Sequence, residues 1–368
     1  MSSALFSPIE LRGLTLKNRL VVSPMCQYIS ENGSVNDWHV QHLGAFSIGG
    51  FGLVMTEATN VNAVGKITHK CATLCTDENE AALKRVIDFN KKFGVAAQGI
   101  QLAHAGRKGS THPPALGGQA LKPEEGAWET VAPSAVPYAP GWHTPRALTT
   151  EEIRQIQADF VESVKRAQRV GYDLIEMHAG HGYLTHQFLS PLTNRRTDEY
   201  GGSLENRMRF ALETFVAMRA AWPADKPMGV RVSATDWVVG GWTPEETVVF
   251  ARALKNLGCD YVDVSSGGLD PAQQIPLAPG YHVSLADKVR READIRTMVV
   301  GLITDALQAE EIVKSGQSDF VCMGRGAMWD PRFPWHAAEI LGADAPYPPR
   351  STPCHPSLRP QVFPNRKK

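Results

Sequence analysis

No apolar run in this 368-residue sequence approaches the ~20 residues that a membrane-crossing helix needs. Net charge is also missing: 38 Lys+Arg balance 38 Asp+Glu, so nothing electrostatic points to nucleic acid or to an anionic membrane. Met1 to Asn18 has no basic start followed by an apolar core, so a secretory signal is not expected, and the cytoplasm is the expected location. Cysteine is sparse. Cys26, Cys71, Cys75, Cys259, Cys322 and Cys354 are scattered, and a chain of this size needs no disulfides. The CxxxC of Cys71 and Cys75 is not a zinc spacing and has no second ligand pair near it in sequence. No GxGxxG follows the first strand-like run, which argues against a doubly wound dinucleotide fold. Zero net charge does favour self-association, and a homo-oligomer, dimer or tetramer, is expected.

What is present is a repeat. Eight short β-rich runs are spaced along the chain: LVVSPM (20–25), GLVMTEAT (52–59), AAQGIQLA (96–103), YDLIEMHA (172–179), MGVRVSA (228–234), YVDVSS (261–266), TMVVGLIT (297–304) and DFVCMGR (319–325). Near-continuous apolar strands suit a parallel sheet covered on both faces. Amphipathic stretches separate them at 78–93, 150–170, 203–221, 243–257, 283–293 and 304–314. Gly94, Gly171, Gly258 and Gly316 stand at the ends of several, where a left-handed cap residue is expected. The pattern predicts an α/β protein of the (β/α)₈ barrel (TIM barrel) class, one domain over residues 1–340. Three parts fall outside the repeat. A hairpin turning near Gly13 is placed to plug the barrel bottom. A Pro- and Gly-rich segment from Arg107 to Arg146 reads as a long lid loop after strand three. The Pro-rich tail, 341–368, reads as extended or disordered from Ala345 onward.

Barrel enzymes carry their chemistry where strands exit at the C-terminal face. Strand four exits through His178-Ala-Gly-His181-Gly-Tyr183. Two imidazoles can donate to one developing oxyanion, and a tyrosine beside them can supply a proton. The same histidines would also suit half of a metal site completed by His104, Glu57 or Glu176, or a structural role. Strand one exits through Ser23-Pro24-Met25-Cys26-Gln27-Tyr28, in which Cys26 alone reads as filler. Strand three carries Gln101, whose amide suits the edge of a heterocycle. Strand five carries Arg231, which needs an anion: a cofactor edge, or Glu176 or Glu57. Gly301, Gly324 and Arg325 follow strands seven and eight, where such barrels commonly bind phosphate. Lys108 is the one lysine near these exits, which leaves a Schiff-base aldolase poorly supported.

The motifs LKNRLVVSPMCQY, GLVMTEATNV, GIQLAHAGRK, HAGHGYLTHQFLSPLTNRRTDEYGGSLENRMRF, RVSATD, GLITD and VCMGRGAMWDP resemble the Old Yellow Enzyme flavoproteins, and more closely their bacterial thermophilic-like branch. The resemblance runs from about Leu5 to about Pro334. It implies an FMN-dependent ene-reductase that uses NADPH or NADH, acts on small activated alkenes, and follows a ping-pong course. It further implies that Ser23, Pro24, Met25, Cys26, Ala58 and Gln101 line the FMN ring. Arg231 would lie by its N1/C2-carbonyl edge, and Gly301, Gly324 and Arg325 would hold its phosphate. His178 and His181 would bind the substrate oxygen, Tyr183 would donate the proton, and Tyr28 would touch substrate. Cys26 is then a flavin neighbour that tunes the ring, not a nucleophile. The tail departs from the family pattern, in which an aromatic- and Arg-containing end reaches a neighbouring subunit; Tyr347 and Arg350 are the residues here that would do so. Rival readings are a larger iron–sulfur relative, for which no Cys-rich motif is present, a flavin-storing protein without turnover, and a metal-dependent hydrolase using His178 and His181.

Overall fold

The computed structural model describes residues 3–357. Eight parallel strands close into a barrel in sequence order: β1 (Leu20–Val22), β2 (Leu53–Asn60), β3 (Ala97–Ala103), β4 (Leu174–Ala179), β5 (Met228–Ser233), β6 (Val262–Ser265), β7 (Thr297–Val299) and β8 (Phe320–Met323). Seven lie inside one of the eight runs, and β2 extends one residue past its run, to Asn60. Every residue of β2, β4 and β5 is buried, as strands covered by helices outside and side chains inside must be.

The helices on the outside are α1 (Asp37–Ile48), α2 (Asp77–Phe93), α3 (Thr150–Val170), α4 (Leu204–Ala221), α5 (Pro244–Asn256), α6 (Val283–Ala293), α7 (Ala306–Lys314) and α8 (Phe333–Leu341). α3 begins as its sequence signals: the Thr149 side chain accepts from Glu152 N–H while Glu152 reaches back to Thr149 N–H. Gly171, Gly258 and Gly316 take positive φ, as the caps require. Gly94 does not: its φ is −90°, and its N–H caps the carbonyl of Asn90 from extended backbone. α1 carries no clean amphipathic signal because its inner face mixes His39, Gly44 and Ser47 with Leu43 and Phe46.

The predicted hairpin forms between Ile9–Leu11 and Leu14–Leu16. Its Ile9, Leu11 and Leu16 pack against Val21, Leu53, Leu174, Met298 and Phe320 from the barrel strands, so an apolar plug closes the end opposite the strand exits. The segment after β3 holds short turns, a Thr111–Ala120 bridge and a two-residue parallel pairing of Val131–Ala132 with Arg146–Ala147. Arg107 ties it down by donating to the Val136 and Pro137 carbonyls at 3.2 and 3.0 Å and to the Leu269 carbonyl, after β6, at 2.8 Å. The tail corrects the expectation of an extended chain. Tyr347 stacks on Trp335 of α8, ring centroids 4.2 Å apart, Trp335 donates to the Pro346 carbonyl, and a helical turn follows at Thr352–Cys354. Aromatic stacking onto its own barrel fixes that segment. The part of the predicted tail at 358–368 lies outside the described residues.

Candidate active site

The exit of β4 is a tight turn. His181 takes φ 53° and Gly182 φ 74°. A Cβ on Gly182 would fall 2.2 Å from the Gly268 carbonyl oxygen, so only glycine fits. The turn brings His178 and His181 together, with His178 Nε2 3.2 Å from His181 Nδ1. Tyr183 stands edge-on to His178, ring centroids 5.0 Å apart. His178 Nδ1 accepts the Gly180 N–H at 3.1 Å, which leaves the ring proton of the neutral form on Nε2, facing His181. His181 is held from two sides. Its N–H donates to Ser233 Oγ at 2.8 Å, and its Nε2 lies 2.8 Å from Ser265 Oγ. Burial, then the charge of Arg231, drives both imidazoles well below their ordinary pKa, so both are neutral at pH 7.

A second layer supports this turn. His186 Nδ1 accepts the Gly182 N–H at 2.9 Å, and its Nε2 lies 2.9 Å from Asp236 Oδ1 in full burial. Asp236 Oδ2 accepts from Ser190 Oγ and from Trp242 N–H, both at 2.7 Å. Gln187 donates to the Gly182 carbonyl at 2.7 Å. Lys108 donates to the His181 and Gly268 carbonyls at 2.9 and 2.7 Å, clamping the turn to the loop after β6, and its ammonium sits 5.2 Å from the centre of the Tyr183 ring. Burial, then Arg107, pushes the Lys108 pKa down to about 7.

Across the mouth, Cys26, Tyr28 and Tyr183 pack on one apolar cluster with Ile67, Cys71 and Ala105. Burial raises the Cys26 thiol well above its ordinary pKa, with Glu57 adding to the effect. It is therefore not a thiolate nucleophile. The loop that carries Cys26 and Tyr28 is fixed by Glu57. That residue occupies an irregularity of β2 between Thr56 and Ala58, accepts the Gln27 N–H at 3.2 Å, and meets His39 of α1 at 3.1 Å. The same irregularity sets the register of Ala58 against Gln101.

Gln101 Nε2 donates to Glu176 at 2.8 Å. Arg231 Nε lies 3.2 Å from Asp263 Oδ2, and neither Glu57 nor Glu176 is its contact partner. Sequence reasoning missed Asp263, although a lone acidic residue inside the apolar run YVDVSS was the available signal. At β7 and β8, Gly301 has φ 137°, and Arg325 lines a cavity of about 810 Å³ with Leu302, Thr304, Met323 and Trp329. His282 stands behind Gly301, with Nδ1 2.9 Å from the Val300 carbonyl and Nε2 2.7 Å from Ser266 Oγ. Met25 lies toward Gly324: a Cβ there would be 3.6 Å from its sulfur. Ser23 Oγ, just past β1, is a buried polar atom without a hydrogen-bond partner, and Arg231 Nε of β5, though it meets Asp263, makes no aligned hydrogen bond. Such atoms call for a ligand. A flat heterocycle with donor and acceptor edges and an anionic tail fits these atoms and the Gly301–Arg325 end. Among the described residues, no three His, Cys, Asp or Glu side chains are grouped to hold a metal ion. Glu57 and Glu176, two of the third ligands a metal reading requires, are spent on His39 and Gln101.

A model of the NADH:flavin oxidoreductase / NADH oxidase family matches residues 4–343. The chain belongs to this family. Membership makes it an oxidoreductase whose flavin is FMN and whose reductant is a nicotinamide nucleotide, and it bears out the resemblance to Old Yellow Enzymes. The chain is 43% identical over 344 residues to the NADPH dehydrogenase of Geobacillus sp. (strain WCH70), covering 93% of this chain and 96% of that one. Among solved structures, morphinone reductase in complex with tetrahydroNAD superposes with a TM-score of 0.75 at 27% identity, over 95% of this chain and 93% of that one. A 2-naphthoyl-CoA reductase complex superposes with a TM-score of 0.82 at 28% identity, over 92% of this chain. This chain spans about half the length of that larger protein, 52%. No described helix is long and apolar enough to cross a membrane.

Proposed function

We propose that the chain is an ene-reductase that reduces the C=C bond of α,β-unsaturated carbonyl or nitro compounds. The observation that carries this reading is the spacing of two neutral imidazole nitrogens. His178 Nε2 and His181 Nδ1 are hydrogen-bonded to each other at 3.2 Å, and an incoming oxygen that takes the place of this bond can accept from both. His178 already holds its proton on Nε2. His181 can hold its proton on Nδ1 while Nε2 accepts from the Ser265 hydroxyl, 2.8 Å away. A carbonyl or nitro oxygen seated against the two N–H groups loses electron density to them, which polarises the conjugated alkene. Because both rings are neutral, they bind the oxygen without acting as strong acids.

Tyr183 is the acid of the site. Its phenol is held above its ordinary pKa by burial, so the proton stays on oxygen until the substrate carbon takes it. Tyr28 faces the same space and contacts substrate. Ser23, Pro24, Met25, Cys26, Ala58 and Gln101 line the ring site. Arg231 meets the ring's pyrimidine edge, and Gly301, Gly324 and Arg325 hold the phosphate. FMN bound there supplies the two-electron transfer between NAD(P)H and the alkene. The nicotinamide and the alkene use the same space in turn, which gives ping-pong kinetics.

Tyr183→Phe tests the assignment. The NADPH half-reaction should keep its wild-type rate, while the enone half-reaction should slow by about 10²-fold or more. If both half-reactions run at wild-type rate, Tyr183 is not the proton donor.

A further inference from the structure

Below the strand exits, four neighbouring strands carry buried polar residues in two cross-strand pairs, offset by two residues between β4 and β5. Gln101 of β3 lies opposite Glu176 of β4, and Arg231 of β5 lies opposite Asp263 of β6. All four are buried. The group holds two carboxyls and one guanidinium. Arg231 meets Asp263 at 3.2 Å, whereas among the described residues no cation comes within ion-pair distance of Glu176. The hydrogen bond Glu176 does have is the one from Gln101 Nε2, at 2.8 Å. The Tyr261 ring occupies the space over Gly229, where a Cβ would fall 2.2 Å from it, and its phenol stands against the Glu176 carboxyl. Cys259 and Cys322 also face Glu176, and burial raises both thiols, so neither brings charge. An isolated carboxylate in such a place costs several kcal/mol and takes up a proton instead.

We infer that Glu176 is held as the neutral carboxylic acid beneath the flavin site, where it is a positioning residue. It fixes the Gln101 amide with Nε2 turned inward, and it leaves Asp263 as the sole counter-charge of Arg231. The electrostatics agree with the geometry: burial first, then the negative charge of Asp263, push the Glu176 pKa up to about 8, against the pull of Arg231. At neutral pH the group carries one positive and one negative charge. Above about pH 8 it gains a second negative charge under the ring and makes electron uptake there harder.

The inference rests on the flavin reading, so its test separates the two. In flavin-free protein at pH 7, infrared difference spectroscopy should show the C=O stretch of one buried carboxylic acid. The band should shift in D₂O, fade as pH rises through about 8, and be missing in Glu176→Gln. Its absence at pH 7 overturns the neutral acid and leaves the flavin untouched. In the holoenzyme, the flavin midpoint potential of Glu176→Gln should equal that of wild type at pH 6.5. At pH 9.5 it should lie higher, by roughly a tenfold change in the oxidised–reduced equilibrium, about 30 mV for a two-electron couple. Parallel curves from pH 6.5 to 9.5 overturn the inference. Should the variant fail to fold, the wild-type curve still decides, because a featureless slope through pH 8 contradicts a titrating Glu176.

Discussion

Asp236→Asn removes one charge and almost no volume from beneath the catalytic turn. In the wild type, Oδ2 of Asp236 accepts two hydrogen bonds, from Ser190 Oγ and from Trp242 N–H, while Oδ1 faces His186 Nε2 at 2.9 Å. His186 Nδ1 is committed to the Gly182 N–H, so the ring proton sits on Nε2. An asparagine keeps its one oxygen for the two outer donors and turns its NH₂ toward His186, setting donor against donor. The imidazole can relieve this only by moving its proton to Nδ1, which breaks the bond to Gly182. The first puts a repulsive contact where His186 faced a carboxylate, and the second leaves the buried Gly182 N–H without its partner, at about 1–3 kcal/mol. The Gly182–Tyr183 turn loosens with it, and a misplacement of about 1 Å costs roughly 10²-fold in a positioned reaction. We therefore expect about 2 kcal/mol less stability by urea unfolding. We also expect an enone half-reaction slowed by on the order of 10–100-fold in stopped flow, with NADPH oxidation nearly unchanged. A variant that loses under about 0.5 kcal/mol and reduces enone at the wild-type rate would refute the argument.

Other outcomes follow from the same structure. Burial holds the pKa of His104 and of His282 down to about 4, from an ordinary 6.5. The unfolded chain therefore binds protons in this window that the fold does not, and stability should fall as pH drops from about 6.5 toward 4; unfolding free energies at pH 7 and pH 5 check the sign. Arg231→Met leaves Asp263 as an uncompensated buried charge. It should cost about 3–5 kcal/mol and release FMN on dialysis, read as lost visible absorbance. Iodoacetamide at neutral pH should label the exposed Cys354 well before Cys26, Cys71, Cys259 or Cys322, whose thiols burial holds protonated; peptide mapping decides this.

The barrel was legible because each strand is a short apolar run and each long amphipathic segment a helix, two periods that local sequence carries. α1 was not legible, since His39, Gly44 and Ser47 on its inner face blur the helical period. His178, His181 and Tyr183 stood out because three polar rings at one strand exit have no cheap structural use. Their supports did not. Asp236 lies 50 positions from His186, and Asp263 lies 32 from Arg231; only closure of the barrel makes them neighbours. The folded-back tail was hidden for a similar reason. Its proline content suggests an extended chain, while the Trp335–Tyr347 stack that fixes it is a tertiary contact.

The central claim is tested most directly by the visible spectrum of the purified protein, taken before and after anaerobic NADPH and again after cyclohexenone. The account predicts a yellow protein that bleaches with NADPH and recovers its colour with the enone. A colourless protein that does not take up added FMN would contradict it.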